Sequence, residues 1–161
     1  MSSLPAISVT ASDYARLEKL ARTAAQQGDM DAEFLLVEIN RAEIIPDDAR
    51  GVESIVTMRS WVTYRTDFGV CRKTVHLVWP EDLMSDLARI SVLSGLGAAL
   101  LGLRVGDQMP CFMAGRMTVI RIESVNRSKP NNDPLDPLLR APVCVNDDPG
   151  QRPQESKGRI R

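Results

Sequence analysis

The sequence predicts an α+β protein, with two amphipathic helices first, a run of antiparallel strands next, and a tail with no fold of its own. Three observations carry that reading. Apolar residues recur at helical spacing up to about residue 42, the period changes to two from Val52 to Val125, and a proline-rich stretch without periodicity follows Asn126. The chain has 161 residues, 43% apolar and 25% charged, which suits one domain or one domain with an appendage.

The helices come first. Thr10 followed by Asp13 is a capping signal with an acid in the first turn, where the helix dipole favours it. Leu17, Leu20, Ala21 and Ala24 then form one face, and Glu18 and Arg22 can pair on the other. Gly28 stops this helix, because glycine tolerates the left-handed conformation just past a helix end. Asp29 or Asp31 caps a second helix whose stripe is Ala32, Leu35, Leu36, Ile39 and Ala42, with Pro46 just beyond. So short a connection folds the two back as an antiparallel hairpin over residues 1–50, with arms of about 25 Å. Phe34 and Val37 fall off the stripe, so they pack on the next domain or face a partner.

The strands follow. Ile55–Arg59 and Trp61–Arg65 read as strands, and Asp67-Phe68-Gly69 turns the chain into a third at Val70–Trp79. Pro80–Asp86 reads as a loop with a helical turn, and Arg89–Leu93 as a short strand. Gly97 and Gly102 frame one or two helical turns, and Val105-Gly106-Asp107 is a turn with Asp107 as turn former. Gln108–Ala114 and Met117–Val125 close a last hairpin across Gly115-Arg116. Residues 51–126 are thus expected to form a domain with a core of its own around Leu100 and Leu101. Six of the 10 prolines fall in the last 36 residues, so 127–161 reads as a disordered tail with a mildly basic end.

Composition excludes several functions. With 20 basic and 21 acidic residues the formal charge is −1, too little for a bulk grip on nucleic acid. The charge is uneven: residues 1–46 carry net −3, 47–125 net 0 and 126–161 net +2. Seven aromatic residues are too few to expect a base-stacking platform. Cys71, Cys111 and Cys144 are far apart and odd in number, which argues for free thiols over disulfides or a zinc site. Cys71 and Cys111 read as small core residues, and His76, the single histidine, as a structural or surface imidazole. The start shows no signal-peptide pattern, and the longest nearly apolar stretch, Leu93–Leu103, has 11 residues against roughly 20 needed to span a bilayer.

One block is more specific. Ser91-Val-Leu-Ser-Gly-Leu-Gly-Ala-Ala-Leu-Leu-Gly-Leu-Arg-Val-Gly-Asp107 resembles the signature S-P-L-G-x-A-L-L-G-x-x-V-G-D of the C-terminal domain of the GreA/GreB transcript-cleavage factors. With Glu38-Ile-Asn-Arg-Ala42 and Val56-Thr-Met58 before it, the chain from residue 7 to about 125 resembles the family of the regulator of nucleoside diphosphate kinase (Rnk), Gre-like proteins with a shortened hairpin. The resemblance implies an FKBP-like C-terminal domain that docks on RNA polymerase, with a coiled-coil hairpin pointing into the secondary channel. The docking loop it implies is Ser94-Gly95-Leu96, with Gly95 where the family often has proline and Ala98 where Gre factors have arginine.

Gre factors carry acids at the hairpin tip that complete a second Mg²⁺ site in the polymerase. Asp29, Asp31 and Glu33 stand near that position here, although acids there equally cap a helix and complement its dipole. Shortened arms stop before the catalytic metal. The resemblance therefore implies a cytoplasmic, monomeric, non-enzymatic regulator that binds RNA polymerase without cleaving transcripts and competes with Gre factors. It needs no cofactor or metal of its own and meets DNA only through the transcription complex. The alternative is an FKBP-like peptidyl-prolyl isomerase with a pocket drawn from Trp61, Tyr64, Phe68, Trp79 and Phe112.

Overall fold

In the computed structural model, which describes residues 3–67 and 72–130, two helices precede a curled sheet. The order is β1 (Ser8–Thr10), α1 (Ala11–Gln26), α2 (Met30–Arg41), β2 (Glu43–Ile45), β3 (Trp61–Thr66), β4 (Arg72–Val78), β5 (Arg89–Ser91), α3 (Gly95–Leu100), β6 (Gln108–Met113) and β7 (Arg116–Asn126). The expected Phe68-Gly69 turn, Cys71, Cys144 and the tail from residue 131 lie outside the described residues.

Thr10 occupies the N-cap of α1, but its hydroxyl donates to Asp13 Oδ2 at 3.0 Å rather than accepting from the backbone. Gly28, at φ +87°, reverses the chain. Asp29 is the cap of α2: its Oδ1 accepts from the N–H groups of Asp31 (3.0 Å) and Ala32 (3.2 Å). The helices have 16 and 12 residues, so about 24 and 18 Å, the second shorter than expected because the chain leaves it to enter β2.

That strand was not expected. β1 and β2 pair in parallel, with Val9 opposite Ile44, and tie the two ends of the hairpin together. The Ser8 N–H also donates to the Gly102 carbonyl at 3.1 Å. The approach is close enough that a Cβ on Gly102 would lie 2.9 Å from Ile7 Cβ.

The main sheet has the order β5-β4-β3-β7-β6, antiparallel except for the parallel β4–β5 pair. Two local expectations change. Ile55–Arg59 is no strand: a 3₁₀ turn at Val52–Ser54 leads into a single bridge from Ile55 to Arg104. The polar groups that follow are met individually, with Val56 N–H on Leu103 O at 2.8 Å and Thr57 N–H on Ser60 Oγ at 3.2 Å. The short helix starts at Gly95 instead of Gly97, because Ser94 caps it.

One hydrophobic cluster runs through both parts of the chain. Leu17, Ala21, Leu35 and Ile39 of the hairpin, with Ile7 and Val9, bury against the inner face of the sheet and α3, among them Tyr64, Leu77, Leu100 and Ile120. This corrects the expectation of a separate core in 51–126: the helical stripes are the other half of that core. Phe34 packs against the same cluster, whereas Val37 stays 59% exposed.

The opposite face of the sheet points outward. There Trp61 stacks on His76 with ring centroids 4.5 Å apart, and Thr63 and Thr74 share a hydrogen bond of 2.8 Å. Asp67 ends β3 with its Oδ1 accepting from the Thr118 hydroxyl and the Val119 N–H. The Thr118 bond above all holds this carboxyl below its ordinary range. A pKa depressed by folding adds stability above the unfolded value and loses it as pH falls through the folded one. Asp67→Asn should therefore be less stable than the parent at pH 7, and the gap should narrow below about pH 4, as urea unfolding at the two pH values will show.

Candidate functional site

The implied docking segment is held by close approach. Ser94 Oγ accepts from the Gly97 N–H at 3.0 Å and donates to the Ser91 carbonyl at 2.7 Å, fixing the start of α3 over the end of β5. A Cβ on Gly97 would lie 2.0 Å from that carbonyl oxygen, so the residue is glycine for want of room. Leu96 tucks against the core.

Gly95 faces the hairpin. Its N–H donates to Asp31 Oδ2 at 3.2 Å, across 64 positions of sequence, and a Cβ there would meet Asp31 Oδ1 at 3.3 Å. The Cys111 thiol lies 3.8 Å from the Gly95 carbonyl. Burial pushes that thiol's pKa up, and the charge of Asp31 adds to it. Asp31 thus sits in one small assembly with the start of α3 and the buried thiol of β6.

Of the residues put forward by the sequence, Ser94, Gly95, Leu96 and Asp31 come together. Asp29 stays on its own helix as a cap, and Glu33 is exposed. As a metal donor set the trio is weak, since two of its carboxylates already accept backbone N–H bonds. Among the described residues no three His, Cys, Asp or Glu gather at metal-binding distance. His76 Nε2 lies 3.1 Å from the Arg59 carbonyl, and Asp107 Oδ2 accepts from the Arg104 N–H at 2.8 Å, a turn-forming bond.

Sequence reasoning missed Glu38, which is 2% exposed on α2. Arg41 neutralises it, with Nε on Glu38 Oε2 at 3.0 Å, and donates to the Pro5 carbonyl at 2.7 Å. Helical spacing put Glu38 near the stripe, but its charge hid its burial. The aromatic residues weighed for an isomerase pocket do not converge. Tyr64 and Trp79 are in the core, Trp61 lies on the outer face, and Phe112 is 65% exposed at the sheet edge.

The two helices, the sheet and the block around α3 define a protein of the GreA/GreB type. The family model for the C-terminal domain of the transcription elongation factors GreA/GreB matches residues 52–127, and that for the Rnk N-terminus matches 5–45. The chain resembles the solved structure of a prokaryotic transcription elongation factor GreA/GreB from Nitrosomonas europaea, with TM-score 0.62 and 31% identity over 76% of this chain and 98% of that one. Transcription elongation factor GreA of Thermotoga neapolitana is 36% identical over 85 residues, 51% of this chain and 53% of that protein. The regulator of nucleoside diphosphate kinase of Escherichia coli K12 is 33% identical over 127 residues, covering 75% of this chain and 91% of the relative. The chain belongs to the Rnk family. No helix among the described residues is long and apolar enough to cross a membrane.

Proposed function

We propose that this protein is a non-enzymatic transcription regulator that binds RNA polymerase at the secondary channel, stimulates no transcript cleavage and competes there with Gre factors. The two helices act as a shortened coiled-coil hairpin and the sheet as an FKBP-like docking module. The protein works as a cytoplasmic monomer and meets DNA only through the transcription complex. The surface is the start of α3, at Ser94, Gly95 and Leu96, flanked by the acids Asp29, Asp31 and Glu33.

The observation that carries this reading is the bond from Gly95 to Asp31 in a chain of the Rnk family. In place of a carboxylate held out at the end of a long arm, the hairpin offers one turned back onto its own docking segment. Arms of about 24 and 18 Å give little reach toward a distant metal. Net −3 over residues 1–46 supplies a salt-sensitive attraction to a basic channel wall.

Binding to purified core polymerase tests the reading, with Asp31→Asn as the informative variant. Asparagine keeps an oxygen for the Gly95 amide and removes the charge, so affinity should fall about twofold to fivefold, less so at high salt. Cleavage of stalled complexes should be absent with either protein and should slow when the parent is added to a Gre factor. No binding, or faster cleavage with this protein alone, refutes the proposal.

A further inference from the structure

The outer face of the sheet carries a row of arginines. By register Arg72 of β4, Arg65 of β3 and Arg121 of β7 stand side by side, with Gln108 of β6 beyond. A single acid serves two of them: Glu123 Oε1 lies 2.9 Å from Arg65 Nε, and its Oε2 lies 2.6 Å from Arg72 Nε. Arg121 pairs with no carboxylate among the described residues. Like charges directly opposite one another destabilise a strand pair, and Arg65 and Arg121 are opposite. The two line a cleft of about 170 Å³ with Thr66, Asp67, Gln108 and Val119.

The face is amphipathic along its length. Past Arg121 toward the far end come Val119 and then Met117, paired across strands with Phe112, the last two 59% and 65% exposed. At the near end the chain leaving β7 turns back over the same face. Lys129 Nζ lies 5.7 Å from the centre of the Trp61 ring, and Pro130 is half-buried.

We propose that residues 131–148 of this chain, which lie outside the described residues, dock across this face. Asp133 and Asp136 lie over Arg65 and Arg121, and Leu138 and Leu139 cover Met117 and Phe112. The segment carries Asp133, Asp136, Asp147 and Asp148 against Arg140 alone, net −3, opposite in sign to the row. The spacing fits. Arg65 is four residues from Trp61, about 13 Å along β3, and six extended residues from Pro130 reach about 20 Å. Nine residues reach about 30 Å, the distance along β7 from Asn126 to Met117.

Magnitude favours this occupant over a nucleic acid. Three arginines sharing a glutamate neutralise few phosphates, and such contacts weaken steeply with salt. A segment on a short tether is present at an effective concentration in the millimolar range, so a weak pairing suffices to hold it.

The test uses the full chain with Cys71→Ser and a nitroxide on Cys144, Cys111 being buried. Amide signals of residues 116–121 should lose about half their intensity or more while those of α1 keep theirs, and 0.5 M salt should largely restore them. Asp133→Asn with Asp136→Asn, which leaves the described residues untouched, should also restore them. Arg121→Glu should do the same, and adding Asp133→Lys and Asp136→Lys should bring the broadening back. Uniform broadening, or broadening indifferent to salt and to these substitutions, overturns the proposal. So does broadening between molecules in a mixture of spin-labelled and isotope-labelled protein, which assigns the face to a second copy. Displacement of the segment at physiological salt by micromolar single-stranded RNA assigns it to nucleic acid and likewise overturns the proposal.

Discussion

Deleting residues 1–50 is expected to abolish cooperative unfolding of what remains. Ile7, Val9, Leu17, Leu35 and Ile39 are each no more than 2% exposed, and all pack in the cluster shared with the sheet. Burial of five such side chains contributes on the order of 10 kcal/mol, comparable with the whole stability of an ordinary domain. Their removal also uncovers Leu100 and Leu101. A fragment of residues 51–130 should show a broad, low-amplitude melt by circular dichroism, where the full chain gives a sharp one. A sharp transition in the fragment near the parent's midpoint would mean that the sheet closes on itself without the helices.

Gly97→Ala is expected to be the most damaging single methyl group in the protein. Its Cβ would lie 2.0 Å from the Ser91 carbonyl oxygen, so either α3 or the end of β5 must move. Movement there breaks the Ser94 cap and shifts Leu100 and Leu101 in the core. A cost of about 3 kcal/mol or more is expected, a fall in Tm on the order of 10 °C for a chain of this size. Gly115→Ala is the control. It sits at φ +78° with nothing within 4 Å of the added carbon, so it bears only backbone strain of about 1 kcal/mol. Equal melting shifts for the two would mean that the close approach at Gly97 is not what fixes α3.

What the sequence made legible follows from the range of each interaction. α1 and α2 could be read because apolar spacing and caps are local, and Gly28 marks the reversal between them. The last hairpin was equally clear, since alternation runs unbroken on both sides of Gly115. β1 and β2 were not legible: Ser8-Val9-Thr10 and Glu43-Ile44-Ile45 are too short to show a period, and only the hairpin between them brings them together. Val56 and Thr57 looked like strand residues because β-branched side chains suit strands, yet their partners are individual groups on Leu103 and Ser60. At the site, the block from Ser91 to Asp107 pointed to Ser94, Gly95 and Leu96. Its bond to Asp31 has no local signature, and the alternative of Asp29 or Asp31 as cap was decided only by tertiary structure.

The parallel pair β1–β2 has a consequence for how quickly a partner can be engaged. Both ends of the hairpin are fastened, to each other and through Ser8 to Gly102, and its turn is held at Gly95 by Asp31. A surface fixed at three points loses little further freedom on contact, so association carries almost no ordering entropy from the helices. Encounter should then proceed at the rate of rigid docking, about 10⁵–10⁷ M⁻¹s⁻¹, with a single kinetic phase and no slow rearrangement after contact.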